Sequence, residues 1–297
     1  MTEIGFGIFC TNAERTLSTN HTFRLKSLSF DRVFESLSAN LRDLFELLEL
    51  CRREKIEVFR LGSNFIPYAS HKDFKEEWFL KIEPFLIETG KTIRENFNIR
   101  ITMHPGQFVI LNSPKLEVID NSLRELRYHF WVLDKLGIGD DGIVIIHMGG
   151  IYSEKERAIE RFINTVEKNS WLKKRLAVEN DERLFTAKDT LYVAKNLKIP
   201  FVFDYFHHVL NPSIFDFNDI YETWRGKGTP KFHLSSQGDG KYGLHGEYVK
   251  LDDFYALMEL IEVAGLKKVH IMLEAKQKEK AINRLRSMIW RHNQINL

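Results

Sequence analysis

The sequence predicts a (β/α)8 TIM barrel, an α/β fold whose active site lies at the C-terminal face of its strands. Three observations predict it. Short apolar runs alternate with segments of helical period along the whole chain, and most of the runs are followed at once by a His, Asp or Glu. The length of 297 residues, 43% of them hydrophobic, suits one barrel around one large core, so residues 1–297 are expected to form a single domain. A doubly wound sheet would carry a GxGxxG turn after its first strand, and none is present.

Composition narrows the class without fixing a partner. A formal charge of +2 is too mild to announce a nucleic-acid binder, although a local basic groove fits within a balanced total. Cys10 and Cys51 make neither a disulfide framework nor a CxxC pair, which points to a reducing compartment and to metals held by harder ligands. The N-terminus lacks a basic flank before a long apolar core, and nowhere do about 18 apolar residues run together. A soluble, cytoplasmic protein with no membrane partner is expected.

Residues 4–9 form the first strand, which leads into Cys10, Thr11 and Asn12. The polar segment 13–29 is too long for an idle turn; it is either a solvated loop or an arm over the barrel mouth that meets phosphates with Arg24 and Lys26. Helical spacing of Leu41, Leu44, Phe45 and Leu48 marks a helix over 30–55. Strand 58–61 leads to Ser63, Asn64, Pro67 and His71, and helix 74–96 follows. Strand 100–103 is followed by HPGQF, where Pro and Gly beside His104 make a tight turn that aims the imidazole and holds Gln107 and Phe108 at the mouth.

Helix 118–136 precedes strand 142–146, which ends in His147, and helix 154–169 precedes strand 176–178, which ends in Glu179, Asn180 and Asp181. After helix 186–197 comes FVFDYFHH, residues 201–208, where an apolar strand turns at once into Asp204 and His207. A carboxylate there is a helix cap or a metal ligand. Helix 214–224 precedes strand 230–233, in which the period of two sets Lys231 and His233 on one side. The glycine-rich loop 235–246 carries His245; helix 251–263, strand 269–273 ending at Glu274, and helix 276–293 complete the eight units.

The predicted rim thus gathers His104, His147, Glu179, Asp204, His207, His233, His245 and Glu274. Singly, each reads as a cap, a loop ion pair or a packed imidazole; together, unpaired carboxylates would repel one another and buried imidazoles would need partners. Divalent ions supply the missing positive charge, and the inventory suffices for two ions, or for three if a carboxylate bridges. Imidazole and carboxylate without thiolate suit Zn(II), Mn(II) or Fe(II) better than calcium. No Ser or Cys in these motifs sits beside a His and acid relay, so the ion cluster rather than a side chain is expected to supply the nucleophile.

The motifs FRLGSNFIPYASH, MHPGQF, LRELRYH, IIHMGG, AVENDER, DYFHH, PKFHLSSQ and MLEAK run in order over nearly the whole chain. In them the sequence resembles the UV damage endonuclease family, TIM-barrel DNA repair enzymes related in fold to endonuclease IV. The resemblance implies a multinuclear metal centre, commonly manganese. It also implies cleavage of double-stranded DNA immediately 5′ to cyclobutane pyrimidine dimers and 6-4 photoproducts, leaving a 3′-hydroxyl and a 5′-phosphate with no organic cofactor. Carried over by position, His104, His147 and Glu179 would hold one ion. Glu179 would bridge to a second completed by Asp204, His233 and Glu274, and His207 and His245 would hold a third. Asn12 and His71 would line the lesion pocket or touch the backbone nearby.

Gln107 and Phe108 on their tight turn can fill the gap left by turned-out bases, unless Phe108 belongs to the core. Two departures matter: Ile8 and Phe108 stand where a relative has Tyr, so no phenolic hydrogen bond is available at either place. Lys231 beside the ions would be repelled as an ammonium; a neutral amine could take up carbon dioxide and join the third ion as a carbamate, while a charged one would contact a phosphate. Glu179, Lys231 and His233 are the expected catalytic groups. A xylose-isomerase-like sugar isomerase and a non-catalytic damage-binding protein remain the alternatives.

Overall fold

A computed structural model describes residues 2–152 and 154–295. Among the described residues eight short parallel strands close into a barrel in sequence order: β1 (Glu3–Phe9), β2 (Val58–Leu61), β3 (Arg100–Met103), β4 (Val144–His147), β5 (Leu176–Glu179), β6 (Phe201–Asp204), β7 (Lys231–Leu234) and β8 (Lys268–Leu273). Pairing of β1 with both β2 and β8 leaves no sheet edge. The fold is the expected TIM barrel. Around it stand α1 (Phe30–Arg53), α2 (Glu76–Asn96), α3 (Leu116–Lys135), α4 (Lys155–Lys168), α5 (Ala187–Leu197), α6 (Tyr205–Leu210), α7 (Asn218–Thr223), α8 (Leu251–Val263) and α9 (Lys278–Ile295).

Side-chain caps start two of these helices. Ser29 caps α1 by accepting from the Arg32 amide, and Thr186 with Asp189 forms a capping box on α5. The apolar stripe of α1, Val33, Leu37, Leu44 and Leu48, is fully buried against the barrel, at roughly 1.5–3 kcal/mol per side chain. Helices α2 and α3 approach so closely at Gly90 that a Cβ there would lie 2.0 Å from the Leu136 carbonyl oxygen. No helix among the described residues is long and apolar enough to cross a membrane.

The structure corrects two boundaries near the site. The expected helix 214–224 is confined to α7, and a separate helix, α6, begins directly after β6. Asp204 causes this: its Oδ1 accepts from the His207 amide at 2.7 Å, so the capped helix starts on the strand's last residue. Strand β4 in turn runs through His147 instead of stopping before it.

The barrel interior is unusually polar for a fold whose interior layers are mostly branched apolar side chains. Arg60, Arg100, Thr102, Lys231, His233 and His270 are all buried. Arg100 donates to the Thr229 carbonyl at 2.6 Å and lies 3.1 Å from His270 Nδ1, while Lys231 Nζ donates to Thr102 Oγ1 at 3.0 Å across the barrel. Gly5 on β1 makes room for this layer, because a Cβ there would meet the His270 ring at 2.6 Å.

Candidate metal centre

Strand register assembles the site. His147 pairs with Glu179 across β4 and β5, and Asp204 pairs with His233 across β6 and β7, so four candidate ligands stand in two lateral pairs. Glu179, 1% exposed, lies at the centre. Its Oε2 is 2.9 Å from His104 Nε2; its Oε1 is 2.9 Å from His233 Nδ1 and 3.6 Å from His207 Nδ1. Glu274, one residue past β8, places Oε1 3.3 Å from His233 Nδ1 and pairs with the Arg60 guanidinium.

Two groups of donors could each hold an ion: His104, His147 and Glu179, and Glu179, Asp204 and His233, with the donor atoms of each group within 4.8 Å of one another. Glu179 belongs to both. Each group also contains a buried polar atom with no hydrogen-bond partner, His147 Nδ1 in the first and Asp204 Oδ2 in the second. An ion bound by each group would give these atoms a partner. The donor set therefore fits divalent ions. The capping and ligand readings of Asp204 are compatible, since one oxygen caps α6 and the other is free.

The electrostatics separate the carboxylates. Burial would raise Glu179, but His233 and His147, with hydrogen bonds from His104 and His233, hold its carboxyl well below the usual range. Glu274 is likewise held low against burial by Arg60 and His233. Asp204 is the exception: burial pushes it up to about 6, and the charges of Glu179 and Glu274 act in the same sense against the pull of His207. For His207 burial acts downward, yet Asp204, Glu179 and Glu274 push it up to about 9. Burial lowers His104, and lowers His233 to about 4.

The other predicted residues are placed less uniformly. His207 and His245 belong to neither group; their rings stand 6.1 Å apart, and His245 Nδ1 is 3.0 Å from the Glu274 carbonyl. Lys231 Nζ is engaged with Thr102 and, by burial and the neighbouring charges of Arg60 and Arg100, lies well below the usual lysine range. Gln107 is exposed, and Phe108 is 82% exposed, which removes the core reading of that ring. His71 and Phe108 line one cavity of about 630 Å³ beside the mouth. The amide of Asn12 is buried and used within its own loop, accepting from the Leu17 amide at 3.0 Å and donating to Thr16 Oγ1 at 2.8 Å. Arg24 and Lys26 are exposed on the arm.

Two residues of the site were given no role in the sequence reading. Asn180 accepts from the Asp204 amide at 2.9 Å and donates to the Asp204 carbonyl at 3.0 Å, and its own carbonyl lies 3.0 Å from His207 Nδ1. It ties β5 to β6 and fixes Asp204 and His207 relative to each other. Its place directly after Glu179 was the available signal. Arg60 lies 3.2 Å from His233 Nε2 and carries the cation that faces Glu274. A lone Arg inside the four-residue strand VFRL, whose residues are all buried, was the signal there.

The family described as UV-endonuclease UvdE matches residues 11–297. The UV DNA damage endonuclease of Bacillus cereus strain G9842 is 32% identical over 283 residues, covering 93% of this chain and 89% of the relative. That of Bacillus anthracis is 33% identical over 284 residues, covering 92% and 88%. Among solved structures, SacUVDE superposes with a TM-score of 0.86 at 35% identity, over 98% of this chain and 99% of that one. D-psicose 3-epimerase from Clostridium cellulolyticum H10, at 14% identity and a TM-score of 0.55 over 93% and 89% of the two chains, shares the fold alone. A family match over nearly the whole chain, together with relatives and a solved structure above 30% identity at near-complete coverage, makes this chain a member of the UV-endonuclease UvdE family and an endonuclease acting on DNA.

Proposed function

We propose that the protein nicks double-stranded DNA immediately 5′ to UV photoproducts, cyclobutane pyrimidine dimers and 6-4 photoproducts, leaving a 3′-hydroxyl and a 5′-phosphate. The observation that carries this reading is the buried Glu179 carboxylate shared by two donor groups, in a chain whose relatives are named UV DNA damage endonucleases. His104, His147 and Glu179 would hold one divalent ion, and Glu179, Asp204, His233 and Glu274 a second. His207, His245 and Lys231 would hold a third. Mn(II) is the favoured ion, with Zn(II) the alternative. Bound there, the ions would supply charge neutralisation at the phosphate and an activated water.

The protein's own groups prepare that chemistry. His104 and His233 keep Glu179 ionised; Arg60 keeps Glu274 ionised and fixes its direction. Asn180 holds Asp204 and His207 at a fixed spacing. At the mouth, the exposed amide of Gln107 and ring of Phe108 would enter the duplex where damaged bases are turned out, with His71 and the adjoining cavity beside them. The reading treats residues 1–297 as one endonuclease unit working with the genome inside the cell and needing no organic cofactor.

Supercoiled plasmid, UV-irradiated or not, tests the function in the presence of Mn(II). Nicking of the irradiated form alone, abolished by a chelator, is expected. Glu179→Ala should lose more than the roughly 10- to 100-fold that removal of an outer-shell partner costs, while retaining DNA binding. Binding without nicking by the wild type would favour a damage-binding protein, and untouched DNA would sink the reading.

Phe108→Ala should lower the preference for damaged over intact duplex, by about the 1–3 kcal/mol typical of one base–aromatic stack, without loss of thermal stability. An unchanged ratio would remove Phe108 from lesion recognition.

Lys231 is proposed to act as a carbamate formed with carbon dioxide, because burial beside Arg60 and Arg100 favours its neutral amine. Electron density extending beyond Nζ, in crystals grown near neutral pH, and rescue of Lys231→Ala by small carboxylic acids are expected. A bare amine bonded only to Thr102 in metal-loaded crystals would end this assignment.

A further inference from the structure

Among the described residues, the buried Lys and Arg side chains have polar partners, with one exception. Arg60 faces Glu274, Arg100 donates to the Thr229 carbonyl, Arg175 pairs with Asp134 and Lys231 donates to Thr102. Lys278 is only 6% exposed, yet among the described residues its Nζ has neither a hydrogen bond nor a carboxylate within 4.0 Å. The ammonium stands 3.0 Å from the centroid of the Phe9 ring, and the Arg60 guanidinium lies against the same ring at 5.2 Å. One ring quadrupole does not replace an anion for two cations. Burial lowers the Lys278 ammonium to about 8, and Arg60 and Arg15 act in the same sense against the pull of Cys10 and Glu274. At neutral pH it still carries its charge.

The chain holds this side chain in place under strain. Lys278 opens α9 with a φ of 44°, a left-handed conformation that a residue with a Cβ adopts only when its surroundings enforce it. The next residue, Glu279, is buried and accepts from the Ala13 amide at 3.0 Å, so the loop after β1 is tied to the first turn of α9 beside Lys278. For folding alone a Met would serve better, because it packs a stem of similar length on Phe9 with no charge to bury. Nζ also keeps contact with solvent: the enclosed polar atoms without a partner include Arg60 Nε and one Arg100 nitrogen, but not Lys278 Nζ. Phe9 ends β1 and Glu274 follows β8, so Lys278 stands at the mouth between those strands, within about 8 Å of Arg60 and one side chain beyond the metal centre. An ammonium that is unpaired, largely desolvated and open at its tip is a strong donor that lacks its acceptor.

We propose that Lys278 is a phosphate-binding residue, whose ammonium donates to a non-bridging oxygen of a backbone phosphate next to the one at the metal centre. The proposal rests on the endonuclease reading in taking a DNA phosphate as the anion. A single charge-assisted contact made from a side chain that cannot swing away fixes where the strand lies relative to Glu179. Phosphate contacts carry no information about the lesion, so Lys278 acts alike on damaged and intact strands, whereas Gln107 and Phe108 set discrimination.

Binding of undamaged duplex without added metal, followed by fluorescence anisotropy over a range of KCl concentrations, tests this. In Lys278→Met the slope of log K against log salt should become shallower by about 0.9, the value for one phosphate contact, and Lys278→Arg should restore it. The ratio of damaged to undamaged binding should not change. The melting temperature of Lys278→Met should rise, because a buried unpaired charge is gone. In the wild type, limited acetylation by acetic anhydride, read by peptide mass spectrometry, should be blocked at Lys278 by the duplex and not by inorganic phosphate at the same phosphate concentration. An unchanged slope in Lys278→Met overturns the proposal, and a melting temperature that falls while the slope stays would make Lys278 a structural counter-ion of Glu274. Protection by inorganic phosphate alone would assign the position to a free anion and overturn it as well. Should Lys278→Met fail to fold, acetylation of wild-type Lys278 that the duplex leaves unaffected overturns it. Because undamaged DNA without metal is the probe, these results stand apart from whether the wild type nicks irradiated plasmid.

Discussion

A carboxylate buried among imidazoles is the constraint on which this structure depends. Glu179 is almost wholly removed from water, and an unpaired charge in that position would cost several kcal/mol. His104 and His233 each bond one of its oxygens, and Glu274 and Asp204 crowd the same space with further negative charge. The site therefore needs cations. One is permanent, the Arg60 guanidinium against Glu274. The remaining demand falls on the two donor groups that Glu179 joins, each of which keeps one buried polar atom free.

The barrel makes this arrangement possible by register instead of by loop folding. Side-by-side pairing of His147 with Glu179 and of Asp204 with His233 fixes the spacing of these candidate ligands to the distance between neighbouring strands. Asn180 locks the third spacing, from β5 to β6, by exchanging two hydrogen bonds with the Asp204 backbone. Below this layer, Arg60, Arg100 and Lys231 replace the apolar filling usual in such barrels, and the charge of Arg60 acts on the Glu274 carboxylate. The result exchanges core packing for preorganised charge.

Much of this was legible in the sequence, for a physical reason. Parallel barrel strands are buried on both faces, so they read as short apolar runs, and the polar residue that ends a run marks the rim; His104, His147, Glu179, Asp204 and His233 were all found that way. What could not be read was any contact made across the barrel. Arg60 reaches from β2 to His233 on β7 and Glu274 beyond β8, and Lys231 reaches Thr102 on β3; neither span has a sequence signature. Helix α6 was missed because its six residues are too short to show a helical period, and its start is fixed by the one Asp204 oxygen that caps it. Asn12, expected at the DNA, bonds Thr16 and Leu17 within its own loop, a local use that the sequence does not announce.

Titration of the protein with Mn(II) by calorimetry, in buffers of different ionisation enthalpy between pH 6 and pH 9, tests the central claim most directly. Ligand imidazoles must be neutral and ligand carboxylates ionised to hold a metal, so an ion has to displace the protons that Asp204 keeps up to about 6 and His207 up to about 9. The affinity should therefore rise with pH across that interval, with protons released to the buffer. Stoichiometric binding should disappear in Glu179→Gln, in which both donor groups lose their shared charge. Absence of binding by the wild type, or tight binding that exchanges no protons and survives Glu179→Gln, would contradict the account.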